Sequence, residues 1–498
     1  MTSLSEHSWI DGDRLDQREM MRIIEEINPI KDPLYSKRDD ISLARLFSEV
    51  LRDRARYNTT AKEWYVYDGI RWTVDSQTMT VEQYAKIFGR CLEIYARHVR
   101  SESETGSEDY VNFYGKLGSR QNRKRLIEDS RDFHPVDVVD FDRDPYLFNC
   151  QNCVVNLRTG ETLDHDPELL LSRVSNVWYD PDAKSEEFER FISEIMQGNQ
   201  SKIEYLRRVF GYSLTGENTQ EECYMCYGST TRNGKSTLLD VVGHMVGDYG
   251  ANIEPETLAQ RDRNSRGASG DVARLNGVRF LHMSEPPKRM KFDVALLKKL
   301  LGRDTITARQ IYEREFEFIP VFKLVINTNY LPVVLDDTLF SSGRVKVITF
   351  DRHFEPEEQD VHLRRRLESK TNVSGIFNWC LEGLMSYWSE GEVLKVPDAV
   401  WTATNDYRKH SDKIQSFIDE CLVYDTETNT TAKDTYDVFV LWCKSNGYGV
   451  ENKSNWMEDM RSKGMISGRG TVDGKTQRNV LINWDIEYNW KRETFTRQ

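Results

Sequence analysis

The chain has 498 residues, enough for several hydrophobic cores and too many for one small module. Hydrophobic residues make up 38% and charged ones 30%, which excludes a disordered chain, and no apolar run approaches the roughly 18 residues a membrane span requires. With 68 basic against 81 acidic residues the net charge is −13, which excludes a bulk electrostatic footprint on nucleic acid but leaves room for a narrow basic channel or patch.

The start of the chain, MTSLSEHSWIDGD, is too polar and acidic for a secretory signal, and eight Cys is ordinary usage in a reducing compartment. A cytoplasmic location without membrane association is expected, that of the bacterial host if a phage or plasmid encodes the chain. Cys150-x-x-Cys153 and Cys223-x-x-Cys226 could together form a four-thiolate zinc site. Between them lie 69 strongly patterned residues, and the second pair sits in EECYMCYG, which reads as a buried strand, so buried structural thiols are expected.

Residues 1–40 are polar and weakly patterned. A mixed α/β module is expected over 41–185: helical spacing in LARLFSEVLRDRAR (43–56), then two aromatic strands, EWYVYDGIRWTV, around an Asp68-Gly69 hairpin turn. Helical patterns continue through YAKIFGRCLEIYARHV. The basic run RQNRKR (120–125) reads first as a solvated helix face, with single-stranded nucleic acid or a partner as the alternative. PYLFNCQNCVVNLRTGETL then reads as short strands with an Arg-Thr-Gly turn. A helical run, EFERFISEIMQ to YLRRVFGYSL, opens the next unit, 186–355.

Within that unit Glu221 to Asp240, EECYMCYGSTTRNGKSTLLD, runs from an apolar strand through a polar loop into a helix opening with GKST. A phosphate-binding loop needs this context, because consecutive backbone N–H groups and the positive helix N-terminus must wrap a phosphate. The loop Gly228, Ser229, Thr230, Thr231, Arg232, Asn233 and Gly234, with Lys235, Ser236 and Thr237, is therefore the candidate ATP site. Lys235 would neutralise the β- and γ-phosphates and Ser236 would ligate Mg²⁺. The usual pattern has four residues between the first Gly and Gly-Lys; here Gly228 and Gly234 are separated by five.

Hydrolysis further needs a carboxylate at the end of a neighbouring strand. NGVRFLHMSE supplies it: Glu285 is the candidate base and assists the metal, and Ser284 stands where many ATPases place an Asp. A third strand, FKLVIN, ends in Thr328-Asn329-Tyr330-Leu331-Pro332, and Asn329 is the candidate sensor of γ-phosphate and water. Arg344, before the strand VKVITF, could be a finger reaching a neighbouring subunit's phosphate, or could instead make an intrasubunit salt bridge. From Glu285 to Gln310 seven basic residues outnumber three acidic ones, a local excess suited to DNA phosphates in a pore. Lys298, Lys299 and Arg309 belong to it.

In order, phosphate loop, strand-Ser-Glu, LLKKLLGRDTITARQIYEREFEFIP, LVINTNYLP and SSGRVKVITF resemble the superfamily III helicases of viruses and mobile elements. The likeness is specifically to the helicase part of the phage/plasmid primase and poxvirus primase-helicase family, over roughly residues 40–415. PYLFNCQNCVVNLRTGE is similar to that family's module before the ATPase, and SGIFNWCLEGL with YRKHSDKIQSFI to its helical exit, here 356–412. The resemblance implies a AAA-like ATPase ring, typically hexameric, that translocates on single-stranded DNA. It implies nucleotide and catalytic roles for Lys235, Ser236 and Glu285, a sensor at Asn329, a finger at Arg344, and a DNA-contacting hairpin with Arg314 near its tip. Relatives often carry two Arg where Ser342-Gly343-Arg344 has one.

After Pro397 comes the helical VWTATNDYRKH. In residues 413–498, KIQSFIDECLVY, TYDVFVLWCKSNG and SNWMEDMRSKGMI read as three helices and SGRGTVDGKTQRNVLINW as a two-stranded wing turning at Asp473-Gly474. The expected fold is therefore α/β: a AAA+-like P-loop ATPase core, a mixed α/β N-terminal module and a C-terminal winged-helix-like domain. The expected function is an ATP- and Mg²⁺-dependent, ring-forming DNA helicase, a homo-hexamer on single-stranded and forked DNA, in replication of a phage, prophage or plasmid. The alternatives are an ATP-switched origin-binding or helicase-loading protein, or the helicase subunit of a primase-helicase whose primase, or a replication initiator, is a separate protein.

Overall fold

The computed structural model describes residues 15–102, 107–260, 270–288, 290–309, 315–332, 334, 338–446 and 448–495. The weakly patterned start contains a helix, Gln17–Ile27, capped by the Asp16 side chain and burying Met20 and Ile24 one turn apart. The helix expected over 43–56 is Asp40–Val50, and Ala55–Asn58 is a strand. Pairing overrides helical spacing there: this strand runs antiparallel to Glu63–Tyr67 and sets Tyr57 edge-on to Trp64 at 5.4 Å. Glu63–Tyr67 and Trp72–Val74 form the expected hairpin. RQNRKR opens the helix Arg120–Asp129, and a small antiparallel sheet joins Leu147–Asn149, Val154–Asn156 and Thr162–Leu163.

Two helices, α1 (Glu186–Ile195) and α2 (Gln200–Tyr212), lead into the central sheet. Its strands are β1 (Cys223–Tyr227), β2 (Gly250–Ile253), β3 (Phe280–Met283), β4 (Lys323–Thr328) and β5 (Val345–Thr349), all parallel, in the spatial order β5-β1-β4-β3-β2. Helix α3 (Lys235–Val246) follows β1. Residues alternate between two cores, as they must in a parallel sheet covered on both faces. Tyr224, Cys226, Phe280, Val325 and Ile348 face one core, while Cys223, Met225, Leu281, Leu324 and Val347 face the other. The two cysteines of EECYMCYG thus enter different cores, and burial pushes both thiols up to about 12.

The chain crosses from β1 to the far edge, returns strand by strand, then adds β5 on the other side of β1. Such a reversal opens a crevice beyond the carboxyl ends of the strands, here at β1 and β4.

Past the sheet, the helix Lys370–Ser389 packs on α2, and Asp398–Ser411 packs along β5. The C-terminal part holds the helices Lys413–Cys421, Ala432–Ser445 and Lys453–Ser462 and the hairpin Ser467–Val472 with Lys475–Ile486. Leu422–Thr431, partly assigned to a helix by its spacing, is instead a third strand pairing with Lys475–Ile486. No helix among the described residues is long and apolar enough to cross a membrane.

Candidate functional site

The crevice is where the candidate residues meet. Beyond β1, Gly228 and Gly234 bracket the loop and are both necessary to its shape. A Cβ on Gly228 would lie 2.2 Å from Asn233 Nδ2 and 2.9 Å from Lys235 Nζ. Gly234 has φ of +83° and a side chain there would strike Ile195 of α1. The additional residue is absorbed locally: Arg232 takes a positive φ of 57° and Asn233 Nδ2 donates to Thr230 O at 2.6 Å. Ser229 to Arg232 are exposed, and α3 begins at Lys235 with its free N–H groups facing the loop.

Lys235 is 3% exposed. Its Nζ donates to Asn233 Oδ1 at 2.9 Å and to Asn329 Oδ1 at 2.8 Å. Burial lowers its pKa from the ordinary 10.5, partly offset by Cys226 and Glu285. Asn329 in turn donates from Nδ2 to Glu285 Oε1 at 2.7 Å. The amide orientation is forced, since a flip would set N–H against ammonium and oxygen against carboxylate.

Lys235, Asn329 and Glu285 thus form one chain across the ends of three adjacent strands, β1, β4 and β3. The register explains it. Met283 pairs with Ile326, so Glu285 comes level with Thr328, one residue before Asn329.

Ser236 is exposed, and its Oγ accepts from Asn327 Nδ2 at 3.0 Å. Asn327 was not singled out in the sequence, although its spacing of two from Asn329 sets both on the same side of the strand end. Also missed was the segment after β5 that straps the loop. Phe350 N donates to Tyr227 O at 2.7 Å, Phe354 N to Arg232 O at 2.9 Å, and His353 Nδ1 lies 2.8 Å from Thr231 O. Arg232 also bonds Gln359. Beside Gly234 and Thr237 a cavity of about 490 Å³ lies between Phe191 and Arg190 of α1 and Phe354 of the strap. No cluster of three or more His, Cys, Asp or Glu able to hold a metal occurs among the described residues.

Arg344 is not part of this assembly. Its Nη2 pairs with Glu221 at 2.5 Å and its Nη1 donates to Lys298 O at 3.0 Å, the intrasubunit arrangement weighed above. It precedes β5, whose first residue pairs with the first of β1. It therefore lies about 13 Å or more along the sheet from its own loop, at the opposite edge.

Lys298 is half-buried and bonds Thr338, while Lys299 is exposed on the same helix, Val294–Leu301. The expected hairpin is present as Ile306–Arg309 paired with Glu315–Phe318, with exposed Arg309 opposite Glu315. Arg314 lies outside the described residues.

Comparisons with known proteins show what the chain is similar to. Residues 44–197 match the family model described as D5 N terminal like, and residues 226–344 match a family of unknown function, DUF5906. The chain is 27% identical over 424 residues to protein L207/L206 of Acanthamoeba polyphaga mimivirus, provisionally named a helicase, covering 78% of this chain and 43% of that protein. Protein 022R of Frog virus 3, named likewise, is 27% identical over 272 residues, covering 51% of this chain and 28% of its own. C962R of African swine fever virus, provisionally named a primase, is 19% identical over 404 residues, covering 73% and 41%. The chain thus spans less than half the length of these curated relatives. Among solved structures, the apo C-terminal region (305–718) of NrS-1 superposes with a TM-score of 0.50 over 90% of this chain and all of that one. At 12% identity this is a likeness of fold. The resemblance read from the ordered motifs is borne out: the chain is a relative of the primase-helicase-family helicases.

Proposed function

We propose that this relative of the viral helicases and primase-helicases is an ATP-dependent DNA helicase of the AAA+-like, ring-forming type, acting in replication of a virus or mobile element. The observation that carries the reading is the hydrogen-bonded chain Lys235–Asn329–Glu285 across the ends of three adjacent parallel strands. A buried ammonium held only by amide oxygens is ready to exchange one of them for phosphate oxygens. The glycine-lined loop leaves room for a triphosphate, and the cavity beside Thr237 suits its nucleoside.

In this mechanism the loop N–H groups and Lys235 bind the β- and γ-phosphates. As Lys235 turns to the phosphates it leaves Asn329 Oδ1, and the second N–H of Asn329 Nδ2, the first being held by Glu285, donates to the γ-phosphate. Glu285 orients water for attack and accepts its proton. A magnesium ion, when bound, would neutralise phosphate charge, with Ser236 and Glu285 as its protein contacts and water completing the shell.

Arg344, facing away from its own loop, serves the loop of a neighbouring protomer. Lys298, Lys299, Arg309 and Arg314 grip one DNA strand. The helices Lys413–Cys421, Ala432–Ser445 and Lys453–Ser462, with the antiparallel sheet and the last helix, Tyr488–Phe495, form a winged-helix-like domain.

The test is the mass of the particle formed with an ATP analogue and single-stranded DNA, together with ATPase rate with and without that DNA. Assembly and strong stimulation are expected. A monomer with full turnover and no stimulation removes the helicase reading and favours the ATP-switched origin-binding or loading protein. Arg344→Ala should be inert alone and recover partly when mixed with Glu285→Gln subunits; no recovery excludes a finger shared across an interface.

A second reading is favoured by the match to the C962R primase over 41% of that protein: the chain is the helicase part of a larger primase-helicase activity, with primer synthesis supplied elsewhere. A template-directed primer assay with the chain alone should then give no product.

A further inference from the structure

We propose that Glu221 is a latch on Arg344, and that Arg303 takes over the latch when Arg344 turns to the phosphate of a neighbouring protomer, a step that rests on the reading of Arg344 as serving that neighbour. Three charged side chains from three segments meet at the edge of the sheet where the strands begin. Glu221 stands two residues before β1, Arg344 immediately before β5, and Arg303 in the segment that follows the helix Val294–Leu301.

Both terminal nitrogens of Arg344 are engaged within the protomer. Nη2 pairs with Glu221 Oε2 at 2.5 Å, Nη1 donates to Lys298 O at 3.0 Å, and the side chain is 23% exposed. A guanidinium grips phosphate through two parallel N–H groups, so one held in this way must first be let go. Leaving Lys298 O strands nothing, because that carbonyl also accepts from Gly302 N at 2.9 Å. Leaving Glu221 strands a carboxylate that is 29% exposed, and the resistance to release is therefore concentrated there.

Arg303 supplies what Glu221 loses. Its Nε is 3.7 Å from Glu221 Oε1, the other oxygen of the same carboxylate, near enough for charge attraction but outside hydrogen-bond range. A closure of about 0.8 Å completes the bond. The Arg303 side chain is 58% exposed, donates from Nη2 to Thr219 O at 3.0 Å, and has Glu221 as its one carboxylate partner among the described residues. It is thus free to shift toward Glu221. The carboxylate, by contrast, is not free to follow Arg344. Glu221 has a left-handed φ of 53°, rare for a residue with a Cβ, and both neighbours in the chain are pinned. Gln220 Nε2 donates to Tyr387 Oη at 3.0 Å and to Glu392 O at 2.9 Å, and Glu222 pairs with Lys346 at 2.8 Å. One fixed carboxylate between two guanidiniums leaves this edge with unbalanced positive charge, which favours the departure of one of them toward an anion.

The test is steady-state ATPase of the full chain with single-stranded DNA, comparing Arg303→Ala, Glu221→Gln and the double substitution. Arg303→Ala should lower kcat about tenfold and leave KM for ATP within about twofold, since release of Arg344 is no longer offset while the protomer's own loop is untouched. Removing the latch should undo this, returning kcat of the double substitution to within about threefold of wild type. Arg303→Lys keeps a cation beside Glu221 and should also stay within about threefold. Wild-type turnover in Arg303→Ala overturns the proposal, as does a double substitution no faster than Arg303→Ala, which would mean that Arg303 touches phosphate itself. A lowered melting temperature in Arg303→Ala overturns it too, because the arginine would then serve the fold. Slower turnover in Glu221→Gln alone would make Glu221 a support of Arg344 and not a latch. Mixing separates the latch from the reading beneath it. If Arg344→Ala gains nothing from Glu285→Gln subunits, the shared finger fails and the latch with it; if Arg344→Ala recovers and the double substitution stays slow, the latch alone is overturned.

Discussion

The two edges of the central sheet hold buried cations in opposite ways. Where the strands end, Lys235 is held by two side-chain amides, Asn233 and Asn329, each able to turn away when a stronger acceptor arrives. Where they begin, Arg279 donates to the backbone carbonyls of Leu214 and Leu147 at 2.7 and 2.9 Å. Beside it Lys323 donates to the carbonyls of Thr215 and Val321 at 2.6 and 3.2 Å. Rings complete the second pair of environments, with Tyr249 4.5 Å from the Arg279 guanidinium and Tyr212 4.5 Å from the Lys323 ammonium. Burial lowers the pKa of all three groups. What separates them is whether the partner can leave. Main-chain carbonyls cannot, so Arg279 and Lys323 tie the Leu147–Asn149 sheet and the Leu214–Thr215 turn to the strands, whereas the amides leave Lys235 open to exchange.

Substitutions should therefore separate activity from stability according to the edge. The largest effect is expected for Glu285→Gln, with phosphate release falling by about 10³–10⁴-fold while fluorescent-nucleotide binding persists. Retained turnover would remove Glu285 as the base. At the other edge, Arg279→Met strands two carbonyl acceptors at roughly 1–3 kcal/mol each, so a denaturant titration should show a loss of about 3 kcal/mol. An unchanged midpoint would break the contrast between the edges.

Lys235→Met should weaken nucleotide binding by on the order of 10²-fold without lowering the melting temperature, since the cost of burying the charge disappears with it. A destabilised Lys235→Met protein would mean that this lysine, too, serves the fold. The smallest effect is on pH dependence. In the free protein Lys235 loses its proton below 10.5, and phosphates restore the charged form, so binding takes up a proton in that window. Nucleotide affinity should fall as pH rises toward 10.5, and the slope should vanish in Lys235→Met. Stability has the opposite sign: the unfolded chain binds more protons there, so this group's contribution to stability rises with pH.

Read from its residues alone, the chain disclosed the loop from Gly228 to Thr237, the strands around Met283 and Ile326, the aromatic hairpin at Asp68-Gly69 and the hairpin turn at Asp473-Gly474. Each is written in a few contiguous residues: a glycine where φ must be positive, an apolar run, a helix start. Tertiary structure alone decided the rest. It ended the first long helix at Val50 by pairing Ala55–Asn58 with Glu63–Tyr67, and made Leu422–Thr431 a strand by pairing it with a hairpin some fifty residues on. It strapped Thr231 with His353, 122 residues away, and turned Arg344 toward Glu221. Sheet pairing and side-chain partnership join positions distant in the chain, and burial selects among them only when the whole core closes. Local spacing reports what a segment can form; only packing determines which neighbours it meets.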